Sequence, residues 1–244
     1  MPELPEVEIC ARQLSSRLGG RTIRRVEVRD RKLRLPPDLA GHKITEVCRR
    51  GKFISLHLDD GRRMLIHLGM TGWFEFTPPP RYRMAIGTDD GTAYFEDPRL
   101  FGKVRVVSAE REGTILAKLG PEPLSCGFDL ACLKRTRRPI KVALLDQRLI
   151  AGIGNMYAVE ALWRARLHPK RPANRLNEDE LRRLKSSIIR VLQKAIACGP
   201  EIYEVQTFSV YDRKGKPCPR CRTPIERIVL GGRGTYFCPG CQRC

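Results

Sequence analysis

Directly behind Met1, Pro2 and Glu3 would offer a secondary amine beside a carboxylate once the initiator is removed, as the small second residue permits. Such an amine adds to electrophilic carbon, and the cationic iminium it forms withdraws electrons and eases elimination of neighbouring phosphates. The adjacent carboxylate can carry the protons. From Pro5 onward Val7, Cys10, Leu14 and Leu18 recur at helical spacing and Gly19-Gly20 stops the run, so the amine is expected just ahead of a helix N-terminus. There the partial positive charge favours the neutral form of a group whose reference pKa is about 7.7–8. Glu3, Glu6 and Glu8 pull the other way. Taken alone, the same pattern also describes an ordinary amphipathic helix behind a frayed terminus.

A second constellation lies at the other end. Cys218-x2-Cys221-x16-Cys238-x2-Cys241 has the spacing of two metal knuckles joined by a β-hairpin through Gly231-Gly232. Four soft thiolates fix zinc tetrahedrally and leave no open position, so one structural Zn2+ is expected. Cys244 falls outside this spacing and reads as a spare thiol, while the scattered Cys10, Cys48, Cys126, Cys132 and Cys198 read as buried, reduced thiols. The formal charge is +19, which points to a polyanionic partner, and 41% hydrophobic residues suffice for a core. No run of apolar residues is long enough to span a membrane and no basic-then-apolar leader opens the chain, so the protein reads as cytosolic.

These groups need a scaffold. Ile23 to Val28, Ile44 to Val47, Phe53 to Leu58, Met64 to Leu68, Trp73 to Phe76, Ala93 to Phe95 and Val104 to Val107 read as strands, with hairpin turns at Asp60-Gly61 and Asp90-Gly91. Such a series predicts a β-sandwich or barrel, interrupted by an exposed loop at Pro78-Pro79-Pro80. Lys52 stands at the start of one apolar strand, Met70 lies between Gly69 and Gly72, and Arg99 and Phe101 lie in the loop Asp97 to Gly102. Leu119 to Leu124 is rich in Pro and Gly and reads as a domain boundary. Beyond it Lys134, Arg135, Arg137, Arg138 and Lys141 crowd a short helix, a density suited to a phosphate-facing surface. Gly152 and Gly154 then precede a helix from Met156 to Arg166, leaving its first amides open to a phosphate. A helix from Asn177 to Ala197 has Asn177 and Glu180 as a capping pair and an apolar stripe of Leu181, Leu184, Ile188, Val191 and Ala195.

The opening Pro-Glu-Leu-Pro-Glu-Val-Glu run resembles the N-terminus of the formamidopyrimidine-DNA glycosylases, bacterial base-excision enzymes related to endonuclease eight. The resemblance continues in order through the Met70 and Arg99 loops, the run Leu149 to Ala158 and the cysteine hairpin, nearly the whole chain. It implies an α+β multidomain protein: an N-terminal β-sandwich with a leading helix (1–118), a helix-two-turns-helix bundle (125–200) and a zinc-finger hairpin (207–244). It further implies a DNA glycosylase with abasic-site lyase activity, acting as a monomer on damaged double-stranded DNA in the cytoplasm, near the nucleoid. Pro2 would be the nucleophile, Glu3 the acid/base residue and Lys52 a contact to the lesion phosphate. Met70, Arg99 and Phe101 would fill the void left by an extruded base, while Lys141, Asn155 and Arg233 would hold the backbone at the lesion. No redox cofactor is implied. An enzyme that mainly cleaves abasic sites, or a non-catalytic zinc-ribbon nucleic-acid binder, remains an alternative; the latter leaves the terminus unexplained.

Two places depart from the family pattern. Arg81-Tyr82-Arg83 stands where many members carry histidines. Only Glu201 to Gln206 separates the last long helix from Thr207 to Tyr211, which resembles the strand leading into the hairpin. Those six residues span about 20 Å at full extension, too little to fold over a base and return, so weak action on 8-oxoguanine is expected.

Overall fold

The structure, a computed structural model, describes residues 2–243, so the expected loss of Met1 and the spare role of Cys244 lie outside the described residues. The chain divides between Lys118 and Leu119 into two compact units.

The N-terminal unit begins with α1 (Leu4–Leu18), where Pro5 sits in the first turn and needs no partner for its nitrogen. Val7, Cys10, Leu14 and Leu18 are buried on one face, as their spacing requires. Eight strands follow among the described residues: β1 (Ile23–Val28), β2 (Ile44–Arg50), β3 (Phe53–Leu58), β4 (Arg62–His67), β5 (Trp73–Glu75), β6 (Met84–Thr88), β7 (Gly91–Glu96) and β8 (Lys103–Ser108). They form two antiparallel sheets, ordered β1-β6-β7-β5 and β2-β3-β4-β8, and the core of this β-sandwich draws on both sheets and α1. The sequence reading missed β6. Its first four residues are all buried, so the alternation that marks a half-exposed strand is absent. It also missed α2 (Ala109–Leu116), which starts where the Ser108 hydroxyl accepts the Arg111 N–H at 3.2 Å.

The unit from Leu119 onward holds both the helical region and the cysteine hairpin. Its helices are α3 (Ile140–Leu144), α4 (Asn155–Ala165), α5 (Glu178–Ile196) and the short α6 (Ile202–Val205), followed by strands β9 (Glu226–Leu230) and β10 (Arg233–Phe237). The capping pair is reciprocal: Asn177 Oδ1 accepts the Glu180 N–H at 2.9 Å, and Glu180 Oε2 accepts the Asn177 N–H at 3.0 Å. The apolar stripe of α5 includes Leu192 in place of Val191, which is only half-buried. Thr207 to Tyr211 is not a strand. It is an irregular stretch whose amides turn toward one carboxylate: Glu160 accepts N–H bonds from Ser209 (3.0 Å), Val210 (2.8 Å) and Tyr211 (2.9 Å). Of the five scattered cysteines only Cys10 is fully buried, and Cys126 is exposed, contrary to the reading from sequence.

Candidate active site and zinc hairpin

Pro2 and Glu3 are both buried, and Glu3 is the N-cap of α1. Glu6, three residues on, completes a capping box: its Oε2 accepts the Glu3 N–H at 2.8 Å, which fixes the backbone that carries the expected nucleophile. Lys52 lies in the two-residue turn between β2 and β3, after Gly51 at φ +58°, rather than at the start of the strand. This turn is tied to α1 by Glu8, whose Oε2 accepts from Arg49 Nε at 2.5 Å; Arg49 Nη1 in turn donates to the Gly51 carbonyl at 3.2 Å. Burial works against ionisation of Glu8, but the Arg49 and Arg12 guanidiniums outweigh it and hold its carboxyl below the usual range. Glu6 and Arg49 were not singled out from sequence. The N-cap-to-N3 spacing could have revealed the first; the second is 41 residues from its partner.

The two expected void-filling loops interlock. Gly69 holds φ +70°, and a Cβ there would come within 2.5 Å of the Gly102 nitrogen, so only glycine lets the loops touch. Asp97 joins them from beneath, its Oδ1 accepting the Thr71 hydroxyl at 2.6 Å and its Oδ2 the Gly102 N–H at 2.7 Å. Arg83 Nη1 also donates to Asp97 Oδ2 (2.8 Å) and to the Gly102 carbonyl (2.8 Å), and its other face meets Asp30 Oδ2 at 2.6 Å. The departure at Arg83 is therefore a buried cation between two carboxylates, not a solvated charge. Above this base Met70 is 38% and Phe101 51% exposed, with the Arg99 guanidinium 5.0 Å from the Phe101 ring centroid. At the foot of the Met70 loop, His67 Nδ1 accepts the Gly69 N–H at 3.1 Å. Burial, with Lys52 and Lys103 nearby, pushes the His67 pKa down, so the ring stays neutral as that bond requires.

In the C-terminal unit Lys141, Asn155 and Arg233 converge on the hairpin tip. Gly231 and Gly232, at φ +56° and +71°, form the two-residue turn joining β9 to β10, as a type I′ turn demands. Buried Lys141 donates to the Leu230 carbonyl at 3.4 Å, and Asn155 Nδ2 to the Gly234 carbonyl at 3.0 Å, so both brace the strand ends beside Arg233. The Asn155 Oδ1 is buried without a hydrogen-bond partner. Of the basic cluster expected to face phosphate, Lys141 is buried, Lys134 pairs with Glu178 and Arg138 with Asp146. Gln147, unnoticed in the sequence, clamps the glycine turn: its Oε1 accepts the Gly152 N–H and its Nε2 donates to the Ile153 carbonyl, each at 2.8 Å.

The Sγ atoms of Cys218, Cys221, Cys238 and Cys241 lie within 4.8 Å of one another. Neighbouring pairs stand 3.3 to 3.9 Å apart, and a tetrahedral zinc with Zn–S bonds of about 2.3 Å needs separations of about 3.8 Å. Cys218 Sγ accepts the Trp163 indole N–H and the Arg220 N–H, each at 3.4 Å, which suits a thiolate. Trp163 belongs to α4, and Gln242 ties the hairpin end back by donating to the Leu167 carbonyl at 2.8 Å. The residues present thus fit zinc.

Three family models cover the chain: the formamidopyrimidine-DNA glycosylase N-terminal domain (residues 1–104), its H2TH domain (119–207) and a zinc finger found in FPG and IleRS (215–243). The formamidopyrimidine-DNA glycosylase of Thermus thermophilus is 46% identical over 263 aligned positions, spanning 99% of this chain and 98% of that protein. Part of that alignment therefore has no counterpart in the 244 residues here. The Chloroflexus aurantiacus protein of the same name is 41% identical over the same shares. Among solved structures, the MutM (Fpg) protein of Thermus thermophilus superposes with a TM-score of 0.88 at 44% identity, covering 99% of this chain and 98% of that one. The Lactococcus lactis formamidopyrimidine DNA glycosylase, non-covalently bound to DNA containing an AP site, superposes at 0.89 with 34% identity, covering 99% and 100%.

Proposed function

The chain belongs to the formamidopyrimidine-DNA glycosylase family, and from that premise we propose that it excises damaged bases from double-stranded DNA and then cleaves the abasic strand. The observation that carries this reading is the buried Pro2 directly before a capping box that fixes Glu3. In the reaction the Pro2 nitrogen attacks C1′ of the extruded nucleotide while the glycosidic bond breaks, and the departing base takes a proton supplied through Glu3. Loss of the nitrogen's own proton leaves an N,O-acetal, and cleavage of the C1′–O4′ bond with protonation of O4′ opens the sugar to an iminium. It acidifies C2′–H, whose removal expels the 3′ phosphate (β-elimination); a second elimination expels the 5′ phosphate. Lys52 meets the lesion phosphate, while Met70, Arg99 and Phe101 occupy the vacated stack. Lys141, Asn155 and Arg233 hold the backbone beside the lesion, and one zinc held by the four cysteines keeps the Arg233 tip in shape. The regions 1–118, 125–200 and 207–244 then supply the chemistry, the grip and the hairpin.

The connector narrows the substrate. Gly199–Glu201 is a 3-10 turn running into α6, Ile202 is buried, and the Cys198 thiol donates to Gln206 Oε1 at 3.3 Å. The segment closes on itself and leaves no length for a lid over the base. One relative has been solved with carbocyclic 8-oxo-G DNA; for this chain 8-oxoguanine is a poor substrate beside ring-opened purines, oxidised pyrimidines or abasic sites. Borohydride reduction tests the chemistry: it should trap a covalent DNA adduct with the processed chain and none with a Met1-retaining form, while Pro2→Gly should sharply reduce base excision. An equal adduct from the Met1-retaining form moves the nucleophile to a lysine. Single-turnover excision from matched duplexes tests the substrate, and 8-oxoguanine opposite cytosine as the fastest lesion would refute the lid argument.

A further inference from the structure

The face of the second sheet turned away from the core carries polar groups that the proposed reaction does not use. Glu46 and Cys48 are two residues apart on β2 and share a face; the register sets His57 opposite Glu46 and Ser55 opposite Cys48. Helix α2 packs over β4 and β8 and brings Glu112 to the same place. Donor atoms of Glu46, Cys48 and His57 lie within 4.8 Å of one another, with Glu46 Oε2 3.2 Å from His57 Nδ1. Glu112 Oε2 is 3.9 Å from His57 Nε2. Cys48, Ser55, His57 and Glu112 line a cavity of about 210 Å³.

Three polar atoms there are buried with no hydrogen-bond partner: the Oε1 of Glu112, which is 8% exposed, the Oγ of Ser55, which is 4% exposed, and the Nε of Arg63. Leaving such atoms unsatisfied costs about 1–3 kcal/mol each, more for a charged group, so the polar pocket is one that water or a ligand fills.

We propose that Glu46, Cys48 and the Nδ1 of His57 form a second metal site, for a borderline divalent cation of the zinc class, distinct from the four-cysteine hairpin, with Glu112 on the opposite ring nitrogen as the carboxylate that orients the imidazole. One thiolate, one imidazole and one carboxylate make a donor set that zinc accepts with one position left open, and that magnesium or calcium, which want oxygen alone, does not match. Charge agrees: the Glu46 carboxylate and the Cys48 thiolate carry two negative charges that a divalent cation cancels, while Arg63, whose Nε is 3.6 Å from Glu112, balances that carboxylate. Burial and the hydrogen bond to Glu46 push the Cys48 thiol up to about 11, so it is no nucleophile by itself and the cluster does not act as a thiol hydrolase. Metal binding exchanges the Cys48 proton for a sulfur–metal bond and releases that proton. Exposed Glu46 gives the entry path.

The test is titration of the full, zinc-loaded chain with Co2+. One further equivalent should bind with a thiolate-to-cobalt charge-transfer band. Cys48→Ser should abolish the band, and His57→Gln or Glu112→Gln should weaken binding about tenfold or more. Cys126→Ser, at an exposed thiol, should change nothing. No further equivalent, or a band that survives Cys48→Ser or vanishes with Cys126→Ser, overturns the site. Circular dichroism of each variant before cobalt is added checks the fold; should Cys48→Ser misfold, Glu112→Gln carries the test, and unchanged cobalt affinity in it refutes the proposal.

Discussion

Asp97→Asn tests whether the buried carboxylate positions the two loops proposed to fill the void. Asparagine keeps the shape but has one acceptor. With that carbonyl turned toward Gly102 and Arg83, their bonds at 2.7 and 2.8 Å persist as bonds to a neutral oxygen. Each then loses about half its strength, or about 1 kcal/mol. The new NH2 meets Thr71 Oγ1, which already accepts the Arg99 N–H at 3.3 Å, so the Thr71 hydroxyl proton loses its acceptor for about 1 kcal/mol more. Arg83 is left with Asp30 as its charged partner. The sum is about 3 kcal/mol of local stability, so exchange of the Gly102 and Arg99 amides should accelerate on the order of a hundredfold. Amide hydrogen exchange reads this directly. Excision from duplex DNA should fall more than excision from single strands, since only a duplex leaves a gap to fill. Unchanged exchange at Gly102, or equal losses on both substrates, would refute the reasoning.

Zinc removal by a chelator should release about one ion from the hairpin and shift the fluorescence of Trp163, whose N–H donates to Cys218. DNA binding should be lost before the β-sandwich melts; a fluorescence change that persists in Trp163→Phe, or DNA binding that outlasts the metal, counts against this. Glu160→Gln places an NH2 against one of the three amides that Glu160 now accepts. It should cost about 2–3 kcal/mol locally and speed exchange at Ser209 to Tyr211, and unaltered exchange there would show that the carboxylate does not hold the segment. Asp146 is held at about 2 first by the Arg148 hydrogen bond, then by the Arg148 amide and Arg138. Its folded pKa is depressed, so its stabilisation is present above about pH 4 and disappears as pH falls through about 2. Because the Arg148 and Arg138 side chains are 80% and 44% exposed, the contribution is screened to about 1 kcal/mol, which Asp146→Asn should remove at pH 7 but not at pH 2. Denaturant unfolding at both pH values measures it.

The residues proposed to do chemistry were legible because each sits in a local signal. Pro2 and Glu3 precede a 3.6-residue apolar repeat, and the four cysteines keep a fixed spacing. Strands with alternating burial were legible for the same reason, whereas β6, buried along almost its whole length, offered no period to read. The stripe of α5 slipped by one residue, since Val191 and Leu192 are equally apolar and only packing against α4 decides which one turns inward.

What sequence could not disclose is the layer that holds those residues in place, because its partners are far apart along the chain. Arg49 meets Glu8 across 41 residues, Arg83 meets Asp30 across 53, and Glu160 gathers amides about 50 residues away. In sequence each is one more charge in a basic chain, indistinguishable from a solvated side chain. Burial is what separates them: a guanidinium out of water must be matched by carboxylates, so Arg83 between Asp30 and Asp97 fixes three loops by electrostatic necessity. The same reasoning gives the Arg81-Tyr82-Arg83 departure a physical meaning. A neutral histidine at position 83 would have a single N–H to donate, so it could not donate to two carboxylates and the Gly102 carbonyl together. This chain therefore has Arg83 tie the Arg99 and Phe101 loop to the β1 edge, and Arg83→His should loosen that loop even where the fold survives.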